Sequence, residues 1–157
     1  MNPPQHRYNG ARSMIILHDR YLRGFVDTWR RGKEASLTLP ETTDPSYASM
    51  QSLLRHVLRA ARGYMVWMCE MLELPDPAIE ATPGDADVEA AAEAYLDHLA
   101  QSWSTPLAGV DAACFEDREY RARWGTQFSI DAMMEHAVMH PIRHEYQLRR
   151  LLDAPPS

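Results

Sequence analysis

Hydrophobic residues recur at helical spacing along most of the chain, and stretches containing proline or glycine separate the segments. Apolar positions three or four residues apart predict amphipathic helices, because they place one apolar stripe toward a core. The first segment follows Ser13, a residue type that caps helix N-termini, and continues to about Arg31. Gly32 then serves as a stop. The pattern therefore predicts a first helix over residues 13–31.

Two further helices are predicted to begin at capping residues followed by proline. Asp44-Pro45 places a capping carboxylate before proline at the first helical position. The helix that follows is expected to continue to about residue 74, where Pro75 and Pro77 end it. Thr82-Pro83 opens a third helix in the same way, and its alanine- and glutamate-rich turns continue to about residue 104.

Residues 105–128 contain Pro106 and two glycines and show no clean period, so they predict a long connection that holds a short helix or a hairpin. Ser129 is expected to cap a last helix that continues to about Asp153, before Ala154-Pro155-Pro156. The expected fold class is all-α, an up-down-type four-helix bundle with a long connection before the last helix. We expect a single domain over residues 1–157 with an ordered core at about 13–153.

Charge and composition exclude several classes of function. The net charge is −6, and the basic residues are 15 arginines and Lys33, so we expect no general attraction to nucleic acid or anionic membranes. No apolar run approaches the ~20 residues that span a bilayer, and Met1 to Ala11 contain no apolar signal core. Cys69 and Cys114 form no CxxC pattern. A reduced cytoplasmic location is the expectation.

The last predicted helix carries His136, His140 and His144 at successive spacings of four. Residues four apart on a helix have Cβ atoms roughly 5–6 Å apart, so two such imidazoles can share one metal ion. His136 and His144 are about 12 Å apart along the axis, too far for one ion. On a helical wheel His140 and His144 lie inside the apolar stripe, whereas His136 lies on its flank. The pair predicted to bind a metal is therefore His140 with His144.

A mononuclear site needs a further ligand from another helix, and His56 on the second helix is the best candidate. Small residues, Ala60 and Gly63 among them, lie on the same face and leave room beside its imidazole. His98 on the third helix is the rival ligand, in a more polar context. His6 and His18 are interpreted as ordinary surface residues.

The chain resembles the DinB-like (damage-inducible) four-helix metalloprotein family over about residues 13–153. That family has a histidine on helix two in a Leu-x-x-His setting followed by aromatic residues, and a final His-x-x-x-His followed by glutamine. The matching segments here are Leu53-Leu54-Arg55-His56 with Tyr64 and Trp67, and His140-Pro141-Ile142-Arg143-His144 with Gln147. The resemblance implies the ligand set His56, His140 and His144.

Two departures from the family's pattern bear on the chemistry. One is Arg143-His144-Glu145-Tyr146 around the second ligand, where the family commonly has His-Arg-Gly before the glutamine, and the other is Pro141. Pro141 stands where the family commonly has glutamate, so the general base of an HExxH-type hydrolase is missing. Proline also removes a helix hydrogen bond to Ala137 and is expected to kink or loosen the last helix. No Glu-x-x-His occurs in the chain, which argues against a ferritin-type di-iron centre.

The expected cofactor is a divalent ion, Zn²⁺ or Ni²⁺, and the resemblance adds a low-molecular-weight thiol as co-substrate of an S-transferase that acts on a small electrophile. Gln147 and His136 are candidate supporting residues, and Trp67 is a candidate for substrate binding. Arg55 and Arg59 are candidates to hold substrate carboxylates. The catalytic residues are not identified by the sequence.

Other functions stay open at this point. One alternative is a metal-binding stress-response accessory protein without turnover, and another is a metal-dependent hydrolase. The histidines can also be structural in a protein whose function is dimerisation. A partly apolar strip of Val138, Ile142 and Tyr146 on the outward side of the last helix fits either a homodimer surface or contact with the long connection.

Overall fold

The computed structural model describes residues 3–154. Four long helices dominate it: α1 (Asn9–Glu34), α2 (Met50–Met71), α3 (Val88–Trp103) and α5 (Ile130–Leu152). The connection before α5 holds a short helix α4 (Ala113–Glu116) and an antiparallel hairpin of β1 (Tyr120–Arg121) and β2 (Gln127–Phe128). The expected all-α class is therefore confirmed, and the long connection contains both a short helix and a hairpin. The up-down arrangement of the four helices stays a prediction.

The core lies where the apolar stripes of the long helices meet. Helix α1 packs chiefly along α5, while α2 packs against both α3 and α5. Fully buried side chains come from each of these helices, for example Phe25, Leu54, Leu99 and Met133. The Trp29 indole N–H donates to the Met50 carbonyl oxygen at 2.6 Å and ties α1 to the beginning of α2. This packing fixes the relative positions of α2 and α5, which carry the candidate ligands.

The first helix is longer than predicted at both ends. It begins at Asn9, and the Ser13 hydroxyl donates to the Asn9 carbonyl inside the helix instead of capping it. It passes Gly32 and ends at Glu34, where Leu37 N–H bonds to the Gly32 carbonyl and Ser36 adopts φ of 53°. That pattern is a Schellman motif, and it uses serine at the left-handed position where glycine is usual.

The predicted second helix is interrupted near its beginning. Asp44 does cap the segment, and it accepts from Ser46 N–H, but Pro45–Tyr47 form only one 3₁₀ turn. Ser49 then caps α2 through Ser52 N–H. The third helix also begins later than predicted, at Val88, because the Thr82 hydroxyl contacts the Tyr95 hydroxyl and caps no helix.

The last helix agrees closely with its prediction. Ser129 accepts from Ala132 N–H and caps α5, which is continuous through Pro141 to Leu152. Pro155 and Pro156, predicted to follow the helix, lie outside the described residues. Within residues 3–154, no helix is both long and apolar enough to cross a membrane. Both cysteines are free; Cys69 is buried and Cys114 is exposed.

Candidate metal centre

Three histidines from two helices meet on the inner side of α2 and α5. His56 lies on α2, and His140 and His144 lie one turn apart on α5. Each offers one ring nitrogen, and these three atoms all lie within 4.8 Å of one another. The structure thus brings together the three residues that the sequence selected. Within residues 3–154 they form a group without a carboxylate or a thiol.

The contact between His56 and His140 has the spacing of two ligands on one ion. Their Nε2 atoms are 3.2 Å apart. Two nitrogens that each bind a tetrahedral ion at about 2.0–2.1 Å are separated by about 3.3–3.4 Å. The ring of His144 lies close to both, with centroids 4.6 Å from His140 and 5.2 Å from His56. The residues present therefore fit a divalent ion that prefers imidazole.

Hydrogen bonds at the second ring nitrogens orient two of the three imidazoles. His144 Nδ1 lies 3.0 Å from the side-chain Oε1 of Gln147 and 3.2 Å from the Tyr47 hydroxyl. His56 Nδ1 lies 3.1 Å from the Ser46 hydroxyl. Because the Gln147 oxygen only accepts, Nδ1 of His144 carries the proton. The lone pair on its Nε2 is then available to bind a metal ion. Both Ser46 and Tyr47 belong to the 3₁₀ turn before α2.

His140 lacks such support. Its imidazole is buried, and its Nδ1 has no hydrogen-bond partner within residues 3–154. A buried ring nitrogen without a partner costs about 1–3 kcal/mol, which makes His140 the most strained of the three in the absence of an ion. Its Nε2 faces His56 and is the atom available to a cation.

Burial keeps the three histidines in the form that binds metal. Desolvation, aided by the neighbouring histidines and Arg143, lowers the pKa of His140 to about 2. Desolvation and His56 lower the pKa of His144 to about 4, and desolvation also lowers the pKa of His56. All three are therefore neutral near pH 7, and metal does not have to displace protons from them.

A cavity of about 570 Å³ opens directly beside the triad. His56 and His140 line it, together with His136 and a set of basic and aromatic side chains from α2, α5 and the hairpin. Three protein ligands leave at least one coordination position open, which is typical of catalytic rather than structural sites. The cavity is the space into which that open position can face.

The other predicted site residues fall at different places around this centre. His136 is half-buried, packs edge-on against Tyr64 and lines the cavity without joining the triad. Trp67 lines the cavity, and its indole N–H donates to the Arg121 carbonyl oxygen at 3.4 Å. Arg59 lines the same cavity.

Arg55 lies in a separate, smaller cavity of about 250 Å³ on the other side of His56. There its guanidinium is 3.5 Å from the Asp85 carboxylate. The same small cavity also borders Ser46, so it adjoins the support of His56 and does not extend to His140.

Three further histidines lie outside the triad, and two of them differ from their interpretation. His98 Nε2 accepts from Glu80 N–H at 2.9 Å and lies outside the triad, so the rival ligand has a local structural role. His6 and His18 are buried, not surface residues. His6 Nδ1 is 2.8 Å from the Pro4 carbonyl oxygen, and His18 stacks on Trp103 with ring centroids 3.8 Å apart. Trp103 comes from α3, so spacing along α1 could not reveal the burial of His18.

Sequence reasoning missed Ser46 and Tyr47, the support of two ligands, and Arg123 and Trp124 on the hairpin. The Asp44-Pro45 pair was a valid signal for a structured turn, but it predicted a longer helix that would have pointed these side chains elsewhere. Comparison with protein-family models, with curated proteins and with solved structures gives no match. The functional argument therefore depends on the geometry of the site.

Proposed function

We propose that the protein is a metal-dependent enzyme of the thiol S-transferase type, with one divalent ion, Zn²⁺ or Ni²⁺, held by His56, His140 and His144. The observation that carries the proposal is the convergence of three neutral imidazoles beside a cavity of about 570 Å³. The resemblance of the Leu-x-x-His and His-x-x-x-His segments to DinB-like metalloproteins supports the thiol as co-substrate.

The donor set suits this chemistry. Three uncharged ligands leave the full charge of a divalent cation in place, and such a cation lowers the pKa of a coordinated thiol. The protein's own contribution is to hold the ligands in their neutral form and to orient them. Ser46, Tyr47 and Gln147 perform the orientation through the outer ring nitrogens.

In the proposed reaction the thiol loses its proton to solvent, and the sulfur electron pair attacks an electrophilic carbon. A carbon–sulfur bond forms, and the electrons of the displaced bond leave with a leaving group or, on addition to a double bond, are taken up by a proton. No oxidant or reductant is required.

Hydrolysis has less support from the residues near the triad. The acid that follows His144, Glu145, is engaged elsewhere: its carboxylate accepts from the Thr28 hydroxyl and pairs with Arg149 at 2.6 Å. Pro141 occupies the position at which a hydrolase of this pattern carries its base. A general base for activating water is therefore absent from the cavity-lining residues within 3–154, histidines excepted.

The test compares metal content and turnover in three proteins purified without chelator. We expect one Zn or Ni per wild-type chain by mass spectrometry, and none in a His140→Ala/His144→Ala variant that keeps its helical circular dichroism. His98→Ala is the matched control, because His98 is a histidine outside the triad, and it should keep the ion.

Turnover is then measured with cysteine or glutathione and 1-chloro-2,4-dinitrobenzene, with and without the ion. Thiol conjugation that disappears in the double variant supports the proposal. Bound metal without conjugation of any thiol overturns the transferase and leaves an accessory metal-binding protein. Absence of metal after addition of Zn²⁺ and Ni²⁺ overturns the metal centre itself.

A further inference from the structure

The cavity beside the triad is strongly basic, although the protein as a whole is acidic. The chain has a net charge of −6, yet none of the residues that line this cavity within 3–154 is acidic. Four guanidinium groups line it instead: Arg59 and Arg62 from α2, Arg143 from α5 and Arg123 from the hairpin. Low-dielectric walls concentrate such a field inside a cleft, so the cavity attracts anions.

Three of these arginines have no ion pair or side-chain hydrogen bond within the described residues. Some arginines outside the cavity form ion pairs, as Arg23 does with Asp97 at 2.8 Å. Within residues 3–154, Arg59, Arg123 and Arg143 make no ion pair and no side-chain hydrogen bond. Arg62 differs, because its Nε donates to the Ile79 and Glu80 carbonyl oxygens. Guanidinium groups pair readily with carboxylate or phosphate. Three unpaired guanidinium groups that line one cavity can therefore bind an anion there.

Three aromatic side chains, Tyr64, Trp67 and Trp124, form part of the remaining wall. Trp124 is 53% exposed and meets Tyr64 edge-on, with ring centroids 6.5 Å apart. Trp67 forms the deeper wall and is buried. An exposed indole at the mouth of a basic cavity is a surface against which a flat apolar group can pack. The volume of about 570 Å³ lies within the range of small-molecule sites, roughly 300–1,000 Å³.

The hairpin supplies one cation and one aromatic group to this site. Arg123 and Trp124 lie at its turn, where Ala122 N–H donates to the Thr126 carbonyl at 2.8 Å and Gly125 adopts φ of 93°. The bond from Trp67 to the Arg121 carbonyl anchors the hairpin to α2. Because Trp67 also lines the cavity, this hydrogen bond holds the hairpin turn beside the cavity.

We propose that the cavity binds a small organic anion, a carboxylate or a phosphate monoester, whose flat unsaturated or aromatic body packs against Trp124 and Tyr64. Arg59, Arg123 and Arg143 receive the anionic group. The inference rests on the proposed function in one respect, that this anion is the electrophilic substrate of the neighbouring metal centre. Binding of the anion itself depends on the arginines and does not require the ion.

The test is a calorimetric titration of chelator-treated protein with three probes of the same shape: 2-naphthoate, 2-naphthyl phosphate and the neutral 2-naphthamide. At least one of the two anions should bind, the amide should not, and raising the salt concentration should weaken binding. Comparison of the two anions decides between carboxylate and phosphate. Equal binding of the amide overturns the proposal, as does absence of binding by both anions.

Variants identify the residues responsible. Arg123→Gln and Arg143→Gln should each weaken binding of the preferred anion about tenfold, as expected for loss of one charge-assisted hydrogen bond. Arg118→Gln is the matched control, because Arg118 is an exposed arginine close to the hairpin that does not line the cavity. Unchanged affinity in both cavity variants, or equal loss in Arg118→Gln, contradicts the proposed site.

The two proposals fail separately. Metal content is measured on protein without anion, and anion affinity is measured on protein without metal. A chain that binds naphthoate but no Zn²⁺ or Ni²⁺ retains the anion site and loses the metal centre. A chain that binds one ion but neither anion retains the metal centre and loses the anion site.

Discussion

Tyr47 and Gln147 determine which nitrogen of His144 faces the other two histidines. The Tyr47 hydroxyl also donates to the side-chain Oε1 of Gln147 at 3.1 Å, so the three side chains form a closed set of contacts. In metal sites, groups that orient a ligand imidazole commonly matter almost as much as the ligand itself. Single residues outside the triad are therefore expected to set its affinity.

Tyr47→Phe is predicted to weaken metal binding by about 10–100-fold, because it removes the hydroxyl beside His144 Nδ1 without changing the ring. The measurement is a competition titration against a chromophoric chelator. Tyr146→Phe removes a hydroxyl from an exposed tyrosine and should have no effect. Equal affinities of the wild type and Tyr47→Phe would show that the hydroxyl does not support the ligand.

At the level of helices and turns, the 3₁₀ turn Pro45–Tyr47 has a larger effect on the site than its length suggests. It interrupts what the pattern predicted as one helix, and it places Ser46 beside His56 and Tyr47 beside His144. A continuous helix from residue 45 would have carried these two side chains past the triad. The break between the turn and α2 is thus part of the site's construction.

Capping provides a test of the helix that carries two ligands. Ser129→Ala should lower the free energy of unfolding by about 1 kcal/mol, because Ser129 satisfies the Ala132 N–H at the beginning of α5. Ser13→Ala is the matched control: Ser13 lies inside α1 and caps nothing, so its loss should be nearly neutral. Urea unfolding followed by circular dichroism measures both. Similar losses in the two variants would contradict the assigned cap.

The long helices and the pair His140 and His144 were accessible from the sequence because both depend on spacing within one helix, and His56 was selected from the small residues on its own helix face. The apolar stripe selected His140 and His144 over His136, and the structure agrees. Features created by contacts between segments were not accessible. His18 buries itself against Trp103 from α3. The end of α1 was missed for a local reason, because Ser36 and not glycine occupies the left-handed position of its Schellman motif. Arg123 and Trp124 come from a segment without periodicity, so nothing in their spacing linked them to the triad.

Over the whole molecule, acidic and basic groups are unevenly distributed. Several arginines elsewhere pair with carboxylates, whereas the cavity beside the triad collects four arginines without an acid. The predicted homodimer strip is reduced within the described chain, because Val138 is buried and only Ile142 and Tyr146 retain substantial exposure. Homodimerisation stays a prediction. Among the described residues, the basic cavity beside the triad is therefore a stronger candidate for a binding surface than this strip is.

Global stability should fall at mildly acidic pH. Burial lowers the pKa of His18 to about 3, whereas a histidine in the unfolded chain titrates near 6.5. Below about pH 6.5, His18 binds a proton in the unfolded chain but not in the folded chain. Its contribution to the free energy of unfolding is therefore fully present above that pH and is lost as the pH falls toward 3. Urea midpoints of metal-free protein at pH 7.5 and 5.0 measure the loss.

His18→Phe should reduce the difference between those two midpoints, because phenylalanine can stack on Trp103 but cannot take up a proton. The lowered pKa values of His140 and His144 leave a residual difference with the same sign. An unchanged difference in the variant would mean that His18 does not contribute to acid sensitivity.

The turn at Pro45–Tyr47 lies in the segment that joins α1 to α2, and it contacts the outer nitrogens of two of the three histidines. Thermodynamic linkage makes such coupling reciprocal. If the ordered turn strengthens ion binding, a bound ion stabilises the ordered turn by the same free energy. The order of the α1–α2 segment would then depend on whether an ion is bound. When the ion is withdrawn, this segment is the part of the chain that a protease should reach first.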